Sequence, residues 1–328
     1  MTPNDFQRLA RTVGGPRFDP TAMTPPAAMS ARLPTRRRAP AARLASAEPM
    51  LRLVRERKIG DLLPGEGIER WDARGVHAKG DYLYVVFDNL PHVARLHASL
   101  QVGHQHNILV RQRGASPGFE DITFDRASRR FLIVAEAEDR SAADPRPAIE
   151  EYGEDLRYLA CVPIDPPPDG GAPGLLGMVW VRRCGGDFLI GLSANDRGRG
   201  GGRLQIFGRA GGGWLHHGTV KLPRSAGCAG CSALDLDGDR LAVVSRESAT
   251  LWIGAFKPDR WTLVDDGTVY RFPQDATGER AYLDVDGIAW LAPDRIAAVS
   301  DRHAADTPHQ VARGKEQSVH IFRIPDVL

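Results

Sequence analysis

Cysteine is scarce in this chain, at four of 328 residues, which excludes a small domain stapled by disulfides. Glycine is plentiful, at 35, but follows no three-residue period, so a collagen-like rod is excluded as well. No stretch of about 18 apolar residues occurs, and the sequence therefore offers no membrane-spanning helix. Helical periodicity is nowhere sustained over about ten residues. No helix follows the single G-x-S-x-G spacing, Gly114–Gly118, which runs straight into the expected strand at Phe119; a nucleophile elbow is therefore missing, which argues against a serine esterase of the usual α/β kind. An excess of one charge is missing too, since the formal balance is only +2.

That small balance hides an asymmetry. Residues 1–60 carry 12 Lys/Arg against 4 Asp/Glu, whereas residues 61–328 carry 31 against 37. The bulk of the chain is mildly acidic, so no nucleic-acid partner is expected beyond non-specific contact of a basic tail. Residues 1–49 hold 8 Pro and 10 Ala with no Trp or Tyr. Such a segment cannot bury enough apolar surface to offset its ordering entropy, which predicts a disordered tail and a single domain from residue 50 to 328. Thr35–Arg38 followed by Leu44–Ala47 loosely resembles a twin-arginine export signal. The intervening segment is short and contains Arg43, so no apolar core follows and a cytoplasmic location is expected. A start at Met23 or Met50 is the other reading of this stretch.

From residue 51 onward one unit recurs. Arg74–His77 leads into Asp81–Asn89, Phe119–Phe124 into Arg130–Glu136, and Leu176–Trp180 into Asp187–Asp196. Ser232–Leu236 then leads into Asp239–Ser245, and Asp286–Trp290 into Asp294–Asp301. The apolar anchors Val76, Ile122, Met178, Leu234 and Ile288 are spaced 46, 56, 56 and 54 residues apart. Each unit reads as a strand, a tight turn, a second apolar strand ending in a polar residue, and two more strands. In the third unit those two are Arg203–Phe207 and Trp214–Val220; in the fourth, Thr250–Phe256 and Trp261–Val264. Four short strands repeated at this spacing predict an all-β fold, a β-propeller.

The count comes from closure. The last unit has Ser318–Ile324 as a third strand and then the chain runs out, so its outer strand must come from elsewhere. Leu51–Arg57 alternates apolar and charged residues and fits that place, covering an otherwise bare edge. Five blades result; a sixth would require a degenerate unit around residues 140–175.

The innermost strand of each blade begins at the central channel, so the residue two before each anchor should face the axis. Those residues are Arg74, Glu120, Leu176, Ser232 and Asp286. Glu120, Ser232 and Asp286 are oxygen donors, a set suited to a hard cation such as Ca²⁺. The turns after the second strands add a polar rim that includes Asp88, Asn89, Glu136, Asn195, Asp196, Arg246, Asp301 and Arg302. Most rim residues of this kind are solvated turn formers. Carboxylates crowded into a channel, by contrast, require a partner or a shifted pKa.

The segments Phe119–Ile122, Ser232–Asp235 and Val285–Trp290, with Asn195–Arg197 and Glu316–Phe322, resemble the bacterial propeller family described as phytase-like or esterase-like. More distantly, the axial set resembles the five-bladed calcium-dependent apyrases, in which each blade offers one Ser or Glu to a central Ca²⁺. Arg74 and Leu176 depart from that pattern. The resemblance implies a metal-dependent hydrolase acting on a phosphorylated or other anionic small molecule at the channel mouth. In that scheme Glu120, Ser232 and Asp286 hold the metal, and Glu136 or Asp301 is the general base. Arg74, Asn195, Asp196, Arg246 and Arg302 then contact the substrate. The alternative is a non-catalytic binding, sensor or scaffold propeller. Other candidates are weaker. Cys228-Ala229-Gly230-Cys231 has no second CxxC to complete a zinc site and reads as a redox pair or an incidental one. His104, His106, His216 and His217 fall on expected outer strands, where solvated histidines are common. Gly198–Arg203 is Gly-rich and basic, but no helix follows it.

Overall fold

In the computed structural model, the described residues are 48–64, 66–112, 118–135, 148–165, 174–193, 202–228, 230–264, 266–301 and 314–326. They form β1 (Arg52–Lys58), a single helical turn α1 (Ile59–Leu62), and nineteen further strands. The first blade is β2 (Ala73–Lys79), β3 (Tyr82–Phe87), β4 (His92–His97) and β5 (Ile108–Arg111). The second is β6 (Phe119–Asp125), β7 (Arg130–Ala135), β8 (Ala148–Gly153) and β9 (Tyr158–Pro163). The third is β10 (Leu175–Arg183), β11 (Gly186–Ser193), β12 (Arg203–Ala210) and β13 (Gly213–Lys221). The fourth is β14 (Cys231–Asp237), β15 (Arg240–Ser245), β16 (Thr250–Ala255) and β17 (Thr268–Arg271). The fifth joins β18 (Val285–Ala292), β19 (Arg295–Ser300) and β20 (Ser318–Arg323) to β1. Every sheet is an antiparallel meander of four strands, and the inner strands β2, β6, β10, β14 and β18 pack in a closed ring. This is a five-bladed β-propeller.

The core is divided accordingly. Five apolar clusters occupy the five interfaces between adjacent blades. A blade covered on both faces requires a second strand that is apolar on both faces, and β3 shows how this works. Leu83, Val85 and Phe87 face the fifth blade, while Tyr84 and Val86 face the second. At roughly 25 cal/mol per Å² of apolar surface removed from water, these interfaces supply the main stabilisation of the ring.

β1 closes the ring as its position in the sequence implied. It pairs antiparallel with β20 from Arg52↔Arg323 to Lys58↔Ser318. Its own side chains are mostly exposed, so what it adds is edge pairing more than apolar burial. One side chain fastens it further. Glu56 meets Lys315 Nζ at 2.5 Å, His320 Nδ1 at 3.3 Å and the Tyr282 hydroxyl at 3.4 Å. His320 Nε2 in turn meets Ser300 Oγ at 2.9 Å. This Ser–His–Glu order looks like a hydrolase relay, but His320 is fully buried and Ser300 nearly so, which leaves a substrate no approach to the serine. Its role is to bolt β1 and β20 onto the fifth blade.

Three expectations need correction. Residues 148–163 are the outer half of the second blade, so they hold no sixth unit. The outer strand of the fourth blade is β17; Trp261–Val264 instead folds back on β16, with Phe256 bridging Leu263. His104 and His106 lie in the loop between β4 and β5, not on a strand. Residues 48 and 49 also contact the fourth blade. Pro49 accepts a hydrogen bond from the Arg271 amide, and Glu48 pairs with the Arg271 guanidinium at 2.6 Å. Residues 1–47, and with them the tail and its twin-arginine segment, lie outside the described residues.

Candidate functional site at the channel mouth

All five axial residues sit on one device. Register slips by one residue between Ala73 and Gly75, Phe119 and Asp121, Leu175 and Gly177, Cys231 and Ala233, and Val285 and Gly287. Arg74, Glu120, Leu176, Ser232 and Asp286 are therefore each the extra residue of a β-bulge at the start of an inner strand. A bulge leaves its residue out of the ladder and re-aims its side chain, and here it does so once per blade around one axis.

The residue after the bulge is where neighbouring inner strands come closest. A Cβ on Gly75 would lie 2.5 Å from Asp121 Cα, and one on Gly287 would lie 2.6 Å from the Arg74 carbonyl oxygen. Only glycine permits that approach. The inner strands also brace each other through side chains. Asp121 accepts the amides of Ile122 and Met178 at 2.8 and 2.5 Å, and Asp235 accepts those of Leu236 and Trp290 at 2.8 and 2.7 Å. Thr123 Oγ1 accepts the Trp180 amide at 3.0 Å. These acceptors satisfy N–H groups that a ring of inner strands would otherwise leave without partners. Burial pushes the Asp121 carboxyl well above its ordinary range and carries Asp235 to about 7, against the pull of the amides they accept.

At the mouth, charge alternates. Asp88 meets Arg74 Nη2 at 3.2 Å, and Arg74 Nη1 meets Asp286 Oδ2 at 3.5 Å. Asp286 is gripped on both oxygens by Arg246 Nη1, at 3.1 and 3.3 Å. Asp301 approaches Arg74 Nη2 at 3.5 Å. The middle of this chain is buried, with Asp286 5% and Arg74 24% exposed, while its ends, Asp88 and Arg246, are 39% and 44% exposed. Burial works against the Arg74 charge, but Asp286, Asp301, Glu120 and Asp88 outweigh it and hold the guanidinium firmly protonated. Burial pushes Asp286 upward, opposed by Arg246 and Arg74.

The structure thus gathers Arg74, Asp286, Asp301 and Arg246, with Glu120 close enough to act on Arg74 by charge. Two of the three expected cation ligands already have partners within the protein. Ser232 Oγ donates to the Val285 carbonyl at 2.7 Å, and Asp286 is held by two arginines. Among the described residues, no group of three or more His, Cys, Asp and Glu is placed to hold a metal ion. Glu136, Asn195, Asp196 and Arg302 lie outside the described residues. Cys228 and Cys231, beside the Ser232 bulge, form a disulfide.

Sequence reasoning missed the bulges and the bracing side chains, although Thr123 and Asp235 stand at equivalent places, each one after its anchor. It also missed a second feature. At the opposite end of the inner strands is a cavity of about 580 Å³, lined largely by residues one and two places after the anchors. They include His77, Thr123, Phe124, Val179, Trp180, Asp235, Leu236 and Trp290.

No family model matches the chain, and no curated protein is similar to it. Solved structures are. The glutaminyl cyclase of Myxococcus xanthus superposes with a TM-score of 0.53 at 12% identity, covering 85% of this chain and 100% of that one. The PQQ-bound aldose sugar dehydrogenase of Streptomyces coelicolor gives a TM-score of 0.43 at 11% identity, covering 82% and 98%. The resemblances to phytase-like and apyrase propellers have no counterpart in these comparisons and rest on their short motifs alone. What the chain shares with the glutaminyl cyclase is the fold alone.

Proposed function

We propose that the protein is a small-molecule-binding propeller whose site is the channel mouth, and that its ligand is a small anion that also carries hydrogen-bond donors. The observation that carries this reading is the exposed end of the charge chain. Arg246 holds Asp286 through Nη1, and its side chain remains 44% exposed at the mouth. A planar guanidinium of this kind takes a carboxylate or phosphate in fork geometry. Asp88 and Asp301 then accept from hydroxyl or amino groups of the same ligand. Binding is favoured over metal-dependent hydrolysis because Asp286 already has two guanidinium partners. A Ca²⁺ ion on Glu120, Ser232 and Asp286 would have to displace Arg74 and Arg246 and overcome their charge. In the hydrolytic alternative, Asp301 serves as general base beside such a metal.

Thermal unfolding separates the two. Sugar phosphates, hydroxy acids and amino acids are tested as ligands, alongside Ca²⁺ and a chelator. A ligand at a hundredfold excess over its Kd raises stability by about 2.7 kcal/mol. The expected result is a shift with one of the three ligand classes, lost in Arg246→Gln, and none with Ca²⁺. A shift with Ca²⁺ that Glu120→Gln abolishes would support the metal-dependent reading instead. No shift from any of them would overturn both.

A further inference from the structure

We propose that the cavity at the turn end of the inner strands is a second binding site, built for a small aromatic carboxylate. It is independent of the channel mouth. The inner strands run from their bulges at the mouth to this end, so the two sites sit at opposite ends of one channel.

A volume of about 580 Å³ falls within the range of small-ligand pockets, roughly 300–1,000 Å³. The walls supply flat apolar surface from Phe124, Trp180 and Trp290, with Val179 and Leu236 between them. Polar demand at the cavity is one-sided. The indole N–H groups of Trp180 and Trp290 are buried and have no hydrogen-bond partner, and Trp290 as a whole is only 9% exposed. An indole nitrogen donates only, and a buried donor left unpaired costs about 1–3 kcal/mol, so a ligand acceptor that reaches it through a small shift of the cavity wall relieves that cost. Arg126, exposed on the rim, makes no ion pair among the described residues. From the second blade its charge acts on His77 of the first and on Asp235 of the fourth, so it stands over the cavity.

The other polar groups do not ask for a cation. Both oxygens of Asp235 accept backbone amides, and Asp237 is exposed on the rim. Burial, then Arg126 and Lys79, hold His77 at about 3, so it is uncharged at neutral pH. Arg182 lies on the rim, paired with Asp187 at 3.4 Å. One face of Trp290 is covered by the Arg240 guanidinium, 4.5 Å from the ring centroid. Two donors without acceptors, one unpaired guanidinium and flat apolar walls are complementary to an aromatic ring bearing a carboxylate.

The test is calorimetric titration of the full chain with naphthoate and with its uncharged amide. Naphthoate is expected to bind once per chain, with the amide roughly tenfold weaker. Arg126→Gln should weaken naphthoate roughly fivefold or more and erase its preference over the amide. Trp290→Phe keeps a ring but removes the donor, and should weaken naphthoate roughly threefold. Arg157→Gln, at another exposed arginine outside the cavity, should change nothing. If Trp290→Phe fails to fold, Arg126→Gln decides the matter, since that side chain is on the surface. Absence of saturable binding up to about 2 mM, a range that covers even weak ligands, would overturn the proposal. So would equal binding by Arg126→Gln and the natural chain.

Discussion

Replacing Glu56 by Gln tests how the ring is held closed. The hydrogen bond from His320 is the largest influence on the Glu56 carboxyl, and Lys315 adds to it. Against burial, these hold its pKa at about 2, down from 4.5. At about 1.4 kcal/mol per pH unit, that difference is worth at most about 3.5 kcal/mol. The side chain is 32% exposed, so solvent screening reduces the expected loss to roughly 1–2 kcal/mol. The depressed pKa fixes the sign of the pH dependence. The Glu56 contribution is fully present above 4.5 and is lost as pH falls from there towards 2. His320 runs the other way. Burial lowers its pKa and Glu56 partly restores it, so between pH 6.5 and 5 the variant should lose slightly more than the natural chain. Urea unfolding of both proteins at pH 7, 5, 4 and 3 reads the effect. A difference of roughly 1–2 kcal/mol at pH 7 that narrows below 4.5 supports the latch. A difference below about 0.5 kcal/mol at pH 7, or one that does not change with pH, would falsify it.

Arg74→Ala should cost about 3 kcal/mol, because it leaves buried Asp286 on Arg246 alone and strips Asp88 and Asp301 of their shared cation. Asp286→Asn should cost less, since Arg74 keeps its other carboxylates; chemical unfolding that ranked the two in reverse order would remove Arg74 from the centre of the network. Gly75→Ala should destabilise by roughly 1–3 kcal/mol, because the new methyl meets Asp121 backbone rather than a flexible side-chain end. A chain beginning at Glu48 should melt like the full chain, whereas one beginning at Gly60 loses the outer strand of the fifth blade and should melt well below it or aggregate. Equal melting of the two would mean that β1 does not hold the ring closed.

The five-bladed count and the closing strand were legible in the sequence because both follow from local rules. A second strand buried on both faces must be apolar at every position, as in Leu83–Phe87, and that run recurs in each blade at a readable spacing. A last blade one strand short must borrow one, and Leu51–Arg57 was the unassigned alternating segment at the other end of the domain. The axial residues Arg74, Glu120, Leu176, Ser232 and Asp286 were also found by position alone, since anything two places before an anchor begins an inner strand.

What those residues do was decided by tertiary structure. Whether carboxylates on an axis take an ion or an arginine depends on which side chains from other blades reach them, and Arg246 reaches Asp286 across 40 residues of sequence. No repeat pattern encodes that contact. The same holds for the turn-end cavity. Phe124, Trp180 and Trp290 each look like ordinary core residues of their own strands. Only the closing of five strands around one axis brings them together around one cavity, with the two indole donors left without acceptors. Periodicity fixes which face a residue takes within its own blade; the contents of a shared channel depend on residues 46 to 56 positions apart, whose identities local propensity does not link.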